Sequence, residues 1–314
     1  MQQSGPRRIV VMTGATAGVG AQAVQHIADQ PFTQVIVGAR GSSRTVPPGV
    51  MILPLDLASL ASVREFADSV IHHIGAARIN ALVLNAGMQT SSNERRSVDG
   101  YELTFAVNHL AHYLLARLLV PCMAEHGQIV ITTSETHDPA VTPIAPKTLE
   151  PQVLARPTKS GIGSGIRAYA ASKLCNLMTA QSLAALALLK ARQVKVIAFS
   201  PGLTGGTSLG RDSPRVMRAV VTVLMHTVFR VVGLFRPEYV VGTPQRSGQA
   251  LAQVAMGTAT VPSNRIYVSL VKGGLTFPNP SALARSADAQ ARLWRESAVM
   301  VGLDPALAGS KNHA

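Results

Sequence analysis

Tyr169 and Lys173, in the stretch "YAASK", form the residue pair best suited to proton transfer in this chain. Side chains four residues apart lie on one face of a helix, so the ammonium can approach the phenol. A nearby positive charge stabilises the phenolate and lowers the tyrosine pKa from about 10. That shift would make Tyr169 a usable acid or base near neutral pH. The same spacing also occurs on ordinary helices, so the pair needs support from elsewhere in the chain.

A glycine-rich turn near the start of the chain supplies one such support. The stretch "VMTGATAGVG" carries Gly14, Gly18 and Gly20 directly after an apolar run. Between a strand and a helix, these glycines would let the backbone approach a pyrophosphate at the positive end of the helix. The spacing differs from the commoner Gly-x-Gly-x-x-Gly, and an ordinary turn without a ligand would also use glycine.

Residues at the ends of three further apolar runs extend the nucleotide hypothesis. Arg40 stands where an acidic residue would bind the ribose 2′-hydroxyl of NAD. A guanidinium suits a 2′-phosphate and favours NADP, unless Arg40 only solvates the strand end. Asp56-Leu57 offers an acidic acceptor to an adenine ring, and the small residues Asn85-Ala86-Gly87 would let the backbone approach a cofactor.

Short apolar runs alternate with helical patterns along the whole chain. Alternation of this kind predicts βαβ units, and strands that are apolar on both faces predict helices on both sides of the sheet. We therefore expect one α/β domain over residues 1–314, a three-layer Rossmann fold around a doubly wound, mostly parallel seven-stranded sheet. The predicted strands cover 9–12, 34–37, 50–53, 81–84, 128–132, 194–199 and 265–269, and the predicted helices cover 18–29, 59–74, 101–123, 166–191, 243–255 and 282–301.

The composition limits the partners of this domain. The net charge of +13 is compatible with nucleic acid, a membrane surface or an anionic ligand. The basic residues are scattered arginines without a zinc-finger spacing or an RNA-binding motif, which argues against nucleic acid. Two cysteines cannot build a disulfide framework, and the nine histidines form no metal-binding cluster. His109 and His112 are interpreted as structural helix residues.

The N-terminal residues lack the apolar stretch of a signal peptide. No uninterrupted apolar run reaches the ~20 residues that span a bilayer. These two features predict a cytoplasmic protein.

Taken together and in this order, the motifs resemble the short-chain dehydrogenase/reductase family. The resemblance covers residues 8–204 and implies a catalytic tetrad. Tyr169 would exchange a proton with the substrate oxygen, and Lys173 would lower its pKa and hold the nicotinamide ribose. Ser134 would bind the substrate oxygen, although Thr132 and Thr133 leave room for a shift of one position. Asn108 would support a helix and a water that relays protons past Lys173.

The same resemblance implies an NADP(H) site and no metal. Its cofactor-binding residues lie in the glycine turn, at four later strand ends and on the catalytic helix. They are Gly14, Thr16, Ala17, Gly18, Val19, Gly20, Arg40, Asp56, Leu57, Asn85, Ala86, Gly87, Tyr169, Lys173, Pro201, Gly202, Leu203 and Thr204.

A narrower resemblance concerns residues 97–115 and 292–303, which are similar to retinol dehydrogenases and light-dependent protochlorophyllide reductases. Both groups act on hydrophobic substrates. Cys175 stands where the pigment reductases carry a cysteine, but Leu203 replaces a second one, and Cys175 is interpreted as a buried helix thiol. Hydride transfer to or from a hydrophobic ketone, aldehyde or alcohol is thus the expected activity. Reduction of an activated C=C bond and a catalytically silent NADP-binding scaffold or sensor are the alternatives.

Two segments interrupt the alternation of strands and helices. Residues 136–165 are rich in proline and would form a substrate loop or a surface insertion between Ser134 and Tyr169. Residues 202–244 would form an apolar lid, an ordinary packed helix or, through 215–236, a basic element at a membrane surface. The expected partner is a hydrophobic small molecule, and homodimer formation is left open.

Overall fold

A mostly parallel sheet forms the centre of the fold in the computed structural model, which describes residues 8–41, 45–205 and 240–306. Its strands are β1 Arg8–Thr13, β2 Thr33–Ala39, β3 Met51–Pro54, β4 Ile79–Leu84, β5 Met123–Thr132, β6 Lys195–Ser200, β7 Tyr267–Val271 and β8 Gly274–Thr276. The strands lie in the order β3-β2-β1-β4-β5-β6-β7-β8. The order reverses between β1 and β4, as in a doubly wound fold, and confirms the predicted α/β class.

Most α-helices of the described residues lie in the predicted helical ranges, but the helix Pro151–Ala155 has no predicted counterpart, and the predicted helices 101–123 and 166–191 are each divided. The α-helices are α1 Gly18–Ala28, α2 Leu60–Ile74, α3 Leu103–Phe105, α4 Ala111–Leu119, α5 Pro151–Ala155, α6 Ser164–Ala185, α7 Ala187–Ala191, α8 Pro244–Ala255 and α9 Ala287–Met300.

The prediction of seven strands is wrong by one, because β8 pairs antiparallel with β7 at the sheet edge. Val271 and Gly274 pair across a turn formed by Lys272 and Gly273, whose φ angles are +50° and +75°. Two consecutive positive φ angles are typical of a tight two-residue hairpin. A strand of three residues is too short to produce the periodicity from which strands are predicted.

Two apolar cores cover the two faces of the sheet, because alternate strand residues point to opposite sides. Val11 of β1 belongs to the core under α2, α4, α6 and α9. Its neighbours Val10 and Met12 belong to the core under α1 and α8. The strands are therefore apolar on both faces, as the sequence predicts for a parallel sheet.

The predicted helix 101–123 is broken into several kinds of turn. A π-helix, Ala106–Leu110, joins α3 to α4, and a 3-10 turn, Val120–Cys122, follows α4. Together Leu103–Cys122 make the one helix of the described residues that is long and apolar enough to cross a membrane. The sequence predicts no membrane-spanning segment when only uninterrupted apolar runs are counted. Asn108 and Arg117 interrupt the run here. The helix is 89% buried inside the protein, as a core helix of the domain would be.

The segment 136–165, expected to be a long loop, contains α5 and is anchored to the body of the protein. Leu149 and Ala155 are buried. Arg292 of α9 donates to the Leu149 carbonyl and lies 3.1 Å from a carboxylate oxygen of Glu150. The segment is therefore packed against α9 at this point.

The segment 202–244 is described only at its two ends, and residues 206–239 lie outside the described residues. The lid, packed-helix and membrane-surface interpretations, with 215–236, fall there. At the described ends, Thr204 and Gly242 form a parallel bridge, and Gly242 N donates to Leu203 O at 2.7 Å.

Candidate active site

The predicted site residues lie along the carboxyl ends of the parallel strands. β1, β4, β5 and β6 end at Thr13, Leu84, Thr132 and Ser200. In an open parallel sheet, ligands bind outside these strand ends where the strand order reverses, here between β1 and β4. The fold thus brings sequence-distant motifs to one edge.

The glycine turn after β1 has the backbone conformation that favours glycine. Gly14 and Gly18 have φ angles of +69° and +55°. A Cβ atom on Gly14 would lie 2.5 Å from the Cα of Ala86, and a Cβ atom on Gly20 would run into the Gly14 carbonyl oxygen. The glycines are therefore needed for the turn to fold over α1 and pack against the end of β4.

The first turn of α1 suits an anion. Its N-cap residue, Ala17, makes no side-chain cap bond, and the first turn holds no acidic residue. In contrast, Ser59, Thr243 and Ser286 cap α2, α8 and α9 with their hydroxyl groups. The leading N–H groups of a helix bind phosphate well when no side chain occupies them. Thr16 to Val19 are half-buried and line this turn.

Asn85 braces the ends of three strands. Its backbone N–H donates to Thr13 Oγ1 at 3.1 Å, as does that of Ala86 at 3.2 Å. Its side-chain Nδ2 donates to Gly14 O at 3.1 Å, and its Oδ1 accepts from Thr132 Oγ1 at 3.0 Å. The side chain of Asn85 thus holds the glycine turn of residues 14–20, which we call the cradle, against the end of β5. Thr13 and Thr132 were not among the predicted site residues, although hydroxyl residues at adjacent strand ends were a signal for such a brace.

The remaining predicted cofactor residues follow other strands at the same edge. Arg40 is exposed directly after β2, and Leu57 is half-buried after β3. Asp56 Oδ1 accepts a bond from Ala58 N at 3.0 Å, which fixes the turn after β3. After β6, Gly202 has a φ of +69°, and a Cβ atom there would run into the Leu270 carbonyl oxygen. Thr204 Oγ1 lies 3.0 Å from Ser247 Oγ, so the turn that begins at Pro201 and passes Leu203 is tied to α8.

Tyr169 lies on α6 and is hydrogen-bonded to Ser134, which follows β5. Burial raises the pKa of Tyr169 to about 12, and the bond from Ser134 only partly opposes this rise. The pKa of Tyr169 is therefore raised in this structure and not lowered as predicted, because desolvation outweighs the effects that stabilise the phenolate. A phenol with this pKa is protonated at neutral pH.

Lys173 is buried on the same face of α6. Its Nζ donates to Thr132 O at 3.1 Å and lies 5.5 Å from the centre of the Tyr169 ring. Burial lowers the pKa of Lys173 to about 8. A Cβ atom on Gly87 would lie 3.2 Å from Lys173 Nζ, so the ammonium group rests against the backbone after β4.

Asn108 lies in the π-helix and connects the turn after β4 to α6. Its Oδ1 accepts from Met88 N at 2.8 Å, and its Nδ2 donates to Met88 O at 2.9 Å and to Ser172 Oγ at 3.0 Å. Ser172 Oγ in turn donates to Tyr169 O at 2.7 Å. Asn108 thereby holds the segment next to Gly87 against α6.

Cys175 and His137 stand apart from this arrangement. Cys175 is fully buried in the apolar core, where burial raises the pKa of its thiol. His137, which follows Ser134 closely, donates from Nδ1 to Ser134 O at 2.7 Å and packs edge-on against Tyr267. Within residues 8–41, 45–205 and 240–306, no group of three or more metal-ligating side chains comes together.

Comparison with known proteins places this geometry in context. Residues 8–142 match the family model of the short chain dehydrogenases. Retinol dehydrogenase 13 of Mus musculus is 30% identical over 311 residues, which cover 95% of this chain and 85% of that protein. Protochlorophyllide reductase A of Oryza sativa subsp. japonica is 27% identical, with 94% of this chain and 81% of that protein covered. A solved structure of a protein from Mycobacterium paratuberculosis shares the fold, with a TM-score of 0.66, 24% identity and coverage of 96% and 95%.

Proposed function

The chain belongs to the short-chain dehydrogenase/reductase family, whose members use NAD or NADP, and we propose that it reduces a hydrophobic ketone or aldehyde with NADPH. The reverse oxidation of an alcohol would use the same groups. One observation carries the proposal. Tyr169, Ser134 and Lys173 meet at the sheet edge that also carries the uncapped first turn of α1.

The residues of this edge fit a dinucleotide. The glycine turn and the free N–H groups of α1 would hold the pyrophosphate, and Arg40 would bind the 2′-phosphate of NADP. Asp56 would accept a bond from the adenine, and the backbone near Gly87 and Gly202 would line the nicotinamide end. When bound, the nicotinamide supplies or accepts the hydride.

Tyr169 is the proposed proton donor for reduction. Because its pKa is about 12, it carries its proton at neutral pH and can pass it to a carbonyl oxygen. Ser134 would donate a bond to the same oxygen and hold it beside the phenol. Lys173 would stabilise the phenolate that remains, since its ammonium group lies 5.5 Å from the ring centre.

The surroundings of Tyr169 favour a hydrophobic substrate. Ile166 lies three residues earlier on the same face of α6 and is 37% exposed, and Ile162 is fully exposed. Small-molecule sites are lined mostly by apolar side chains, and Ile166 lies at the spacing that would let it take part in such a lining beside Tyr169. The likeness to retinol dehydrogenase 13 points in the same direction, since retinol is a hydrophobic alcohol.

The test is turnover of NADPH with hydrophobic aldehydes, ketones and a conjugated enone, with Tyr169→Phe as the control. The proposal expects an alcohol as product, and from the enone an allylic alcohol. A saturated ketone would instead identify a C=C reductase, the alternative activity. NADPH binding without turnover of any carbonyl would identify a scaffold and overturn the proposal.

A further inference from the structure

His112 lies one helical turn after Asn108 and is only 1% exposed. Its Nε2 lies 3.0 Å from Thr13 Oγ1, at the end of β1. Its Nδ1 lies 3.0 Å from the backbone carbonyl oxygen of Asn108. The imidazole therefore bridges the strand that leads into the glycine turn and the π-helix that carries Asn108.

The partners of the ring determine where its proton resides. A carbonyl oxygen can only accept, so the Nδ1 atom must carry the hydrogen that binds Asn108 O. In a neutral imidazole, Nε2 is then an acceptor and receives the hydroxyl proton of Thr13. Thr13 Oγ1 can spare that proton because its two lone pairs already accept from Asn85 N and Ala86 N. Protonation of both ring nitrogens would aim a third donor at the Thr13 oxygen.

These bonds close a ring of interactions between the ends of β1 and β4 and the π-helix. From Thr13 the ring passes to Asn85 and Ala86, along the chain to Met88 and through its two bonds to the side chain of Asn108. It returns from the Asn108 carbonyl through His112 to Thr13. Gly87, against which Lys173 Nζ rests, is the residue of this ring between Ala86 and Met88.

The π-helix makes this closure necessary. In it, Ala111 N donates to Ala106 O, five residues back, so the turn is wider than in an α-helix. A widened turn does not by itself fix the height of Asn108 relative to the sheet. The bond between His112 and β1 ties the turn directly to the sheet, in addition to the bonds of Asn108 to Met88 and Ser172.

We propose that His112 is a positioning residue that, as the neutral Nδ1–H tautomer, holds the Asn108 turn at a fixed distance from the glycine turn. This inference rests on the proposed function, because it concerns the alignment of Tyr169 and Lys173 with the cofactor. His112 touches neither the phenol nor the ammonium group. It acts through Thr13 on one side and through Asn108 and Ser172 on the other.

The electrostatic surroundings agree with a neutral ring. The pKa of His112 is lowered to about 4, because burial and the positive charge of Lys173 together outweigh the bond to Asn108 O. His109 is the other titratable group that faces this part of the helix, and it too is neutral, with a pKa of about 3.

The first test is the tautomer itself, which needs no substrate. Long-range ¹H–¹⁵N correlation spectra of the full chain distinguish an Nδ1–H ring from an Nε2–H ring, and comparison with His112→Asn assigns the signal. We expect the Nδ1–H pattern throughout pH 6–8. An Nε2–H or doubly protonated ring in that range would overturn the proposal.

The second test separates alignment from folding. His112→Phe removes both bonds, so kcat should fall by about tenfold to hundredfold, whereas the NADPH Kd, which depends on the intact glycine turn, should change less than about threefold. His112→Asn retains a donor for the Asn108 carbonyl and should lie between His112→Phe and the original protein.

His109→Phe is the matched control. His109 is equally buried on the same helix, but its Nε2 lies 2.8 Å from Ser297 Oγ on α9, away from the ring. This change should lower the melting temperature by as much as His112→Phe while kcat stays within about twofold. Equal losses of kcat in both variants, or no loss in His112→Phe, would overturn the positioning role. If the original protein turned over no carbonyl, the proposed function would fail, while the tautomer would still test the ring.

Discussion

The glycine turn after β1 and the bulged helix Leu103–Cys122 face the same edge of the sheet. The turn presents backbone groups there, and the helix presents side chains. The turn is almost entirely backbone, with φ angles of +69° and +55° at Gly14 and Gly18 and an uncapped helix start. The bulged helix presents side chains, chiefly the carboxamide of Asn108 and the imidazole of His112, all buried and hydrogen-bonded. A backbone cradle can accept a phosphate without specifying the reaction, whereas the side chains fix the reacting groups.

Tyr169→Phe should remove most of the turnover and leave NADPH binding by the cradle intact. The ring remains, but the proton donor is lost, so kcat for carbonyl reduction should fall by about 10²- to 10⁴-fold. The NADPH Kd, measured by fluorescence titration, should stay within about threefold. Unchanged turnover would show that Tyr169 is not the proton donor.

Gly14→Ala should break the cradle instead. The added Cβ atom would lie 2.5 Å from the backbone of Ala86, in a residue that already has a positive φ. We expect the free energy of unfolding to fall by more than about 3 kcal/mol in urea titrations.

Gly100→Ala is the matched control for that experiment, since Gly100 has a φ of +81° and open space around it. It should show only the cost of the left-handed backbone, about 1–2 kcal/mol. Equal losses in both variants would mean that the packing against Ala86 contributes nothing.

Arg40→Asp should change the preference for NADPH over NADH without altering the groups proposed to react, which belong to Tyr169, Ser134 and Lys173. Loss of a charge-assisted bond to the 2′-phosphate should weaken NADPH by about tenfold to hundredfold and leave NADH nearly unchanged. The two dissociation constants give the answer directly. An original protein that binds NADH as tightly as NADPH would show that Arg40 does not select the cofactor.

The pH dependence of reduction should give the smallest effect. Lys173 has a pKa of about 8, below its ordinary value, and loses its charge as the pH rises through that value. The kcat/KM for carbonyl reduction should therefore fall by about fivefold between pH 8 and 9, where Tyr169 remains protonated. Lys173→Arg, which keeps its charge, should shift the fall to higher pH, and a flat profile to pH 10 would contradict the assignment.

The backbone half of the site could be predicted from the sequence because its signals are local. Gly14, Gly18 and Gly20 lie within seven residues of one another, and the helix and strand patterns around them need only short windows. The pair Tyr169 and Lys173 could be predicted for the same reason, because the two residues lie only four positions apart.

The side-chain half could not be predicted to the same depth. The bond between Thr13 and His112 joins residues 99 positions apart, and only the folded sheet brings them together. The π-helix leaves no periodic signal of its own. The direction of the Tyr169 pKa shift depends on how deeply the phenol is buried, which the spacing to Lys173 does not reveal.

The bridge between Thr204 and Gly242 has a consequence for how this scaffold can diversify. The described residues on the two sides of the segment 206–239 are neighbours, joined by bonds from Gly242 N to Leu203 O and from Gly205 N to Gly242 O. A segment with such closely spaced attachment points can change in length or composition at little entropic cost to β6 and α8. Changes in the chain between Gly205 and Gly242 would therefore leave the bonded ends of the segment, and with them β6 and α8, in place.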